Sequence, residues 1–242
     1  PLNKLMECVS VINTGAKYDN EAFQYSVGLN GVGTKAVNAL SSYFEITSWR
    51  EGEYMNAVFE RGELVHKEKG KGEEPNGTFV SFIPDDDPAI FGKYTYNEDY
   101  IKERLWNYAY LNKGLIISFN GKTIKSAGGL MDLVKKILGD DGLYPLINYK
   151  SRNLEFSFTH TNGYGESYHS YVNGQYTSDG GTHEAAFKEG VLKGINEYFH
   201  KSWAAPEIRD GIVATGAIKV MKPVFESQTK NKLGNTDVRA WI

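Results

Sequence analysis

The run Gly28-Leu29-Asn30-Gly31-Val32-Gly33, followed at once by the helical pattern of residues 34–42, carries more information than any other stretch of the chain. Three glycines in six residues let the backbone fold tightly and turn several N–H groups toward one point. The helix that follows places the positive end of its dipole at the same point, which makes an anion cradle with phosphate as its natural occupant. Its glycines fall at the first, fourth and sixth places, whereas the dinucleotide fingerprint needs the first, third and sixth after a buried strand. A Walker A loop ends in Gly-Lys-Ser/Thr, and here Gly33 is followed by Thr34 and then Lys35. The loop matches neither common phosphate motif, and by itself it reads more readily as a glycine-rich turn that starts a helix than as a phosphate site.

The chain has 242 residues, enough for one large domain or two of ordinary size. Hydrophobic residues make up 40% and charged residues 24%, the balance of a soluble folded protein. A formal net charge of -3 argues against global attraction to nucleic acid and leaves room for a local basic patch. The single cysteine, Cys8, has no internal disulfide partner and lies in an apolar helix-like run, which suits a core thiol in a reducing cytoplasm. No run approaches the ~18 apolar residues of a membrane helix, so no membrane association is expected. The chain opens on Pro1 rather than Met and without a signal peptide, and reads as a segment of a longer protein.

Outward from the glycine run, residues 2–12 read as a helix and 13–17 as a turn. Ala36, Val37, Ala39 and Leu40 are the expected buried side of the helix over 34–42. Antiparallel strands are expected at 43–49, 54–59, 63–67 and 78–83, with Gly52, Gly62 and Gly77 in the connections. The charged run 67–74 reads as a solvated hairpin tip. Asp85, Asp86 and Asp87 form a carboxylate cluster, but Pro84 and Pro88 confine it to a loop and no nearby His or Cys completes a metal set. Residues 97–112 form a clear helix capped by Asn97 and ended by Gly114, with Ile101, Leu105 and Tyr108 as its buried stripe.

A strand at 115–119 and a short helix at 130–138 follow, and Gly139-Asp140-Asp141-Gly142 is the best domain boundary, dividing the chain into 1–142 and 143–242. The second part opens with strands at 144–149, 154–159 and 166–172. Thr182 then caps a long helix whose Phe187, Val191, Ile195 and Phe199 lie on the sheet. A further strand is expected at 212–221. His183 reads as support for the helix start, and His160 and His169 as packing or solvated groups. Lys17 and Lys230 sit in polar segments where a lysine is ordinarily solvated.

At this point the glycine run and five further motifs, in the family's order, resemble the ATPase subunits of bacterial type IIA topoisomerases, the gyrase and topoisomerase IV B subunits of the GHKL superfamily. The glycine run with Val37-Asn38-Ala39-Leu40-Ser41 resembles their ATP lid. Asn13-Thr14-Gly15-Ala16-Lys17 resembles the segment before the lid, and Gly77-Thr78 the strand start that meets adenine. Asp179-Gly180-Gly181-Thr182-His183 resembles the transducer motif before its long helix. Arg209-Asp210-Gly211 resembles the segment before the next strand, and Gln228-Thr229-Lys230 the transducer loop that reaches the ATP site. Asn30 stands where the family has His, Val27 and Ala16 where Gly is usual, and Phe23 where Tyr is common. Phe23 lacks the hydroxyl that Tyr would offer a nucleotide. Residues 24–41 are worded more like topoisomerase IV than gyrase.

The resemblance implies an α+β fold: part of a GHKL (Bergerat) ATPase sandwich over 1–142, then a transducer α/β sandwich over 143–242 with a left-handed crossover and its final helix absent. It implies ATP binding through Lys17, Gly28, Leu29, Asn30, Gly31, Val32, Gly33 and Thr78, with Lys230 and Gln228 acting on the γ-phosphate. It also implies Mg2+ in the intact parent, DNA and the A subunit as partners, and homodimer closure that drives strand passage. The family's Mg2+-holding Asn and general-base Glu have no counterpart in these residues, so this segment alone is expected not to hydrolyse ATP. Two alternatives remain at this level: a non-catalytic transducer module that contacts DNA or a partner protein, and a mismatch-repair ATPase of the same layout.

Overall fold

The computed structural model describes residues 4–14, 25 and 31–242, and these form two compact units, up to Tyr96 and from Asn97 onward. In the first unit α1 (Leu5–Ser10) and α2 (Gly33–Ala39) accompany a four-stranded antiparallel sheet. Its strands are β1 (Ser41–Arg50), β2 (Glu53–Glu60), β3 (Glu63–Lys71) and β4 (Gly77–Pro84), in the order β3-β2-β1-β4. Alternation sets the register: Ile46 faces Ala57 on one side and Val80 on the other, while Phe44 faces Phe59 and Phe82. Phe44, Ile46, Ala57 and Phe59 bury one sheet face against Val9 of α1. Phe44 and Phe59 meet edge to face, 6.1 Å between ring centres.

The hairpin turns Glu51-Gly52 and Arg61-Gly62 have positive φ at both residues (56° and 80°, 50° and 85°), the geometry that matches the strand twist. Asp85 is buried at the end of β4 and accepts from Arg61, Nε to Oδ2 at 2.5 Å and Nη2 to Oδ1 at 3.2 Å. The guanidinium holds the Asp85 carboxyl below its ordinary value, so this member of the acidic cluster serves as a turn-to-strand tie. The charged run 67–74 differs from expectation. Residues 67–71 continue β3 as an exposed, lysine-rich edge strand, which keeps an open sheet edge from pairing with other chains.

Helix α2 buries Lys35 and Asn38, not the expected Ala36, Val37, Ala39 and Leu40, all of which are exposed. The reason is hydrogen bonding: Asn38 Nδ2 donates to the Val9 carbonyl at 3.0 Å, in the last turn of α1, where no helical partner exists.

The second unit places a five-stranded sheet between helices. Two short strands come first, β5 (Ile117–Phe119) and β6 (Lys122–Ile124), paired as a hairpin that joins α3 (Glu98–Leu111) to α4 (Leu130–Leu138). The sheet itself is built from β7 (Ile147–Lys150), β8 (Leu154–His160), β9 (Ser167–Val172), β10 (Gln175–Tyr176) and β11 (Ile212–Ile218), in the order β10-β9-β11-β8-β7. β9 and β11 run parallel and are connected through α5 (Thr182–Phe199) and α6 (Ala205–Arg209); the other pairs are antiparallel. Phe187 and Val191 of α5 pack on Phe158, Ile212 and Ala214, as the four-residue repeat predicts, while Phe199 at the helix end is exposed.

Helices α3 and α4 contribute Tyr110, Leu130 and Leu133 to a core shared with Tyr171 of β9. That shared core is why the units divide at Tyr96/Asn97 and not at 139–142. Asn97 caps α3, accepting from Tyr100 N at 3.0 Å. The packed side of α3 is Trp106, Ala109 and Tyr110, with Tyr108 left exposed, because the stacked Trp106–Tyr110 pair is drawn to the α4 contact. Gly181, with φ 132°, occupies the cap position of α5, and Thr182 is its first residue rather than its cap.

Candidate functional site

In the first unit the glycine run ends in a helix start with no side-chain cap. The amides of Gly33, Thr34 and Lys35 fall in the first turn, where an α-helix supplies no acceptor, so they are available to an anion. Gly31 has φ +56°, and a Cβ there would lie 2.7 Å from the Thr14 carbonyl oxygen. Only glycine fits this left-handed close approach. Lys35, 6% exposed, turns its ammonium inward to the Thr14 carbonyl at 2.8 Å and to the Gly31 carbonyl. It bolts the loop to α2 and is not turned toward an approaching phosphate. Gly31, Val32 and Gly33 lie at the turn into α2, while Lys17, Gly28, Leu29 and Asn30 lie outside the described residues, as do Ala16, Phe23 and Val27.

Thr78 is the second residue of β4, exposed, and faces Ser48 of β1 in register. It shares a sheet face with Val80 and Phe82, across β1 from Met55, Ala57 and Phe59. That is the face α1 packs on, so Thr78 and α1 stand on the same side of the sheet.

In the second unit the structure joins two of the six motifs, 179–183 and 228–230. Asp179 N donates to the Asn231 carbonyl (3.0 Å), Thr182 N to the Leu233 carbonyl (3.0 Å) and Leu233 N to the Gly180 carbonyl (3.2 Å). Gly181 passes so close to Leu233 that a Cβ would lie 2.4 Å from its carbonyl oxygen. Within the loop, Glu226 N reaches the Lys232 carbonyl (3.1 Å) and Lys230 N the Ser227 carbonyl (3.1 Å), with Lys230 at φ 59°. Gln228 and Thr229 are exposed at the tip and Lys230 is half-buried. Leu233 is fully buried among Val172, Ile218, Val220 and Val238, so the turn bearing Gln228 and Lys230 grows from a fixed root.

The third motif is structural. Gly211 has φ 78°, and a Cβ there would lie 2.5 Å from the Thr161 carbonyl. Asp210 accepts from Gly165 N at 2.6 Å, and Arg209 pairs with Glu166 at 3.2 Å.

A polar cluster under the first turn of α5 was not legible as such in the sequence. His183, 4% exposed, lies 3.2 Å from the Thr177 hydroxyl through Nε2. Thr177 Oγ1 donates to the Ser170 carbonyl (2.8 Å), and Ser170 Oγ donates to Glu184 Oε2 (2.9 Å). With both hydroxyl protons committed, Thr177 must accept from His183, which fixes the neutral Nε2–H tautomer. Burial pushes the His183 imidazole down to about 4, against the upward pull of Glu184. Glu184 continues to Lys188 (3.0 Å), and Lys188 to Glu166 (3.6 Å).

Among the other expected residues, His160 is fixed between the Tyr144 hydroxyl (2.5 Å) and the Ile208 carbonyl (2.7 Å). His169 stacks on Tyr176, and burial lowers its pKa. Among the described residues no group of three His, Cys, Asp or Glu side chains is placed to hold a metal ion.

The DNA gyrase B family model matches residues 98–242. The chain is 53% identical over 240 residues to the B subunit of DNA topoisomerase 4 from Borreliella burgdorferi, covering 99% of this chain and 40% of that one. It is 33% identical over 268 residues to the B subunit of DNA gyrase from Helicobacter pylori (strain 26695), covering 100% and 34%. The crystal structure of the 43K ATPase domain of Thermus thermophilus gyrase B, in complex with an aminocoumarin, superposes with TM-score 0.71 at 31% identity, covering 87% of this chain and 63% of that one. The chain belongs to the DNA gyrase B family, and its α+β architecture is that of a type II topoisomerase ATPase region. It spans 40% or less of the length of the two relatives compared. No helix among the described residues is long and apolar enough to cross a membrane.

Proposed function

We propose that this chain is the lid and transducer portion of a type II DNA topoisomerase B subunit of the topoisomerase IV kind. It binds ATP, with Mg2+ supplied at a site completed by other residues of the whole protein. It acts in the cytoplasm as a homodimer with an A subunit, coupling dimer closure to the passage of one DNA duplex through another. The observation that carries this reading is the 53% identity over 99% of the chain to a topoisomerase 4 relative, against 33% to a gyrase relative.

In this reading the amides of Gly31, Val32 and Gly33, with Gly28, Leu29, Asn30 and Lys17, hold the triphosphate, and Thr78 holds adenine. The anchored turn presents Lys230, with Gln228 beside it, to the γ-phosphate. A lysine there neutralises charge as the β–γ bridge breaks, and makes the position of the second unit depend on whether a γ-phosphate is present. The test is Lys230→Ala in the assembled enzyme. Loss of one preorganised charge contact lowers kcat by about 100-fold or more while ADP affinity changes little. Unchanged turnover removes Lys230 from the chemistry.

A further inference from the structure

We propose that His183 is a positioning residue for the Lys230 turn, acting through the Gly180–Gly181 clamp on Leu233. The inference rests on the reading of Lys230 as the γ-phosphate contact and adds how that contact is held.

The short turn between β10 and α5, ending at Thr182, grips the root of the Lys230 loop. Three backbone hydrogen bonds cross from it, to Asn231 and to both polar groups of Leu233, the residues one and three places beyond Lys230. The grip has no side chain of its own at its centre, because Gly180 and Gly181 both have positive φ and Gly181 lies against the Leu233 backbone. A glycine pair is conformationally loose unless its two ends are fixed. The near end is Thr177, 1% exposed, whose amide and hydroxyl both bond to the Ser170 carbonyl on β9. The far end is His183, and its Nε2–H to the Thr177 hydroxyl is the side-chain bond that ties one end to the other. Gly180 N to the Thr177 carbonyl (3.0 Å) supports the same closure. His183 thus closes a ring of residues 177–183 whose outer rim is the seat of the Lys230 turn. It is far too buried to meet a nucleotide, so it acts through Lys230 and not on the reacting atoms.

The experiment uses the complete, assembled enzyme with His183→Ala, His183→Gln, Lys230→Ala and the His183→Ala/Lys230→Ala double variant. Glutamine places an amide N–H where the imidazole carries Nε2. His183→Ala is expected to lower kcat about tenfold with ADP affinity within about twofold, and His183→Gln to recover most of it. On the Lys230→Ala background the His183→Ala change adds less than about twofold, because both act on one contact. Amide exchange of the peptide covering 226–233 rises in His183→Ala and returns toward wild type in His183→Gln. Unchanged exchange in 226–233, or losses that multiply in the double variant, overturns the proposal. If His183→Ala fails to fold, the Gln variant and Thr177→Val, which removes the acceptor, carry the same readouts. If Lys230→Ala itself leaves turnover intact while exchange still rises in His183→Ala, the positioning stands and the γ-phosphate reading falls.

Discussion

Acid should weaken the second unit through His183, and the size of the effect follows from its burial. The imidazole sits under α5, 4% exposed, donating to Thr177, with the surrounding packing pushing its pKa from 6.5 down to about 4. In the unfolded chain it titrates at its ordinary value. Between the two values the unfolded state binds a proton that the folded state refuses, so stability falls as pH falls. The cost is absent well above pH 6.5 and grows below it. It reaches about 2 kcal/mol at pH 5 and levels off near 3 kcal/mol below about pH 4. That is a large part of the ~5–15 kcal/mol that holds a domain together.

Other groups titrate in the same range, including His169, whose pKa burial also lowers. The informative quantity is therefore a difference: urea unfolding of wild type and His183→Gln at several pH values from about 7.5 to 5. The glutamine variant carries whatever constant offset the substitution brings, but it cannot take up this proton. The gap between the two proteins should move by about 2 kcal/mol in favour of the variant across that range. A gap that stays constant within about 0.5 kcal/mol would show that His183 is not held neutral, and with it the Nε2–H tautomer assignment fails.

Two further outcomes are expected. Gly31→Ala places a Cβ 2.7 Å from the Thr14 carbonyl at a φ of +56°, so the cradle must deform at a cost of about 1–3 kcal/mol. Calorimetric titration of the assembled enzyme with a non-hydrolysable ATP analogue should show affinity reduced about tenfold or more, whereas retained affinity would mean the cradle does not touch the triphosphate. Leu233→Ala empties a fully buried site among Val172, Ile218, Val220 and Val238 and should cost about 2–5 kcal/mol by urea unfolding, with little change in denaturant slope.

What could be read from the sequence was whatever repeats or punctuates. The four strands of the first sheet, with Gly52 and Gly62 at the turns, follow from alternation and from the left-handed turn positions that glycine favours. The helix over 182–199 follows from Phe187, Val191 and Ile195. Gly31, Gly180 and Gly181 stood out in the sequence as glycine motifs, since their positive φ and close backbone contacts restrict which residues fit. The misreadings share a different cause. Periodicity weighs apolar residues, so it assigns Ala36, Val37, Ala39 and Leu40 to the inner side of α2, when Lys35 and Asn38 face inward to the Thr14 and Val9 carbonyls. Glycine and aspartate also cluster at 139–142, and Leu130 and Leu133 before that stretch pack with Tyr171 after it.

The same logic explains the buried polar ties. Asp85, Thr177 and His183 each sit in a stretch that reads as loop or helix start, and each is buried because a distant partner meets it: Arg61 across 24 residues of sequence, Ser170 across seven and Thr177 across six. Local pattern carries apolar burial well because any apolar neighbour will do. A buried hydrogen bond needs one particular donor facing one particular acceptor, and that match exists only after the chain has folded. Residues that fix the root of a loop are of this second kind. The part of the second unit hardest to read from sequence is therefore the layer that holds the 226–233 turn in place.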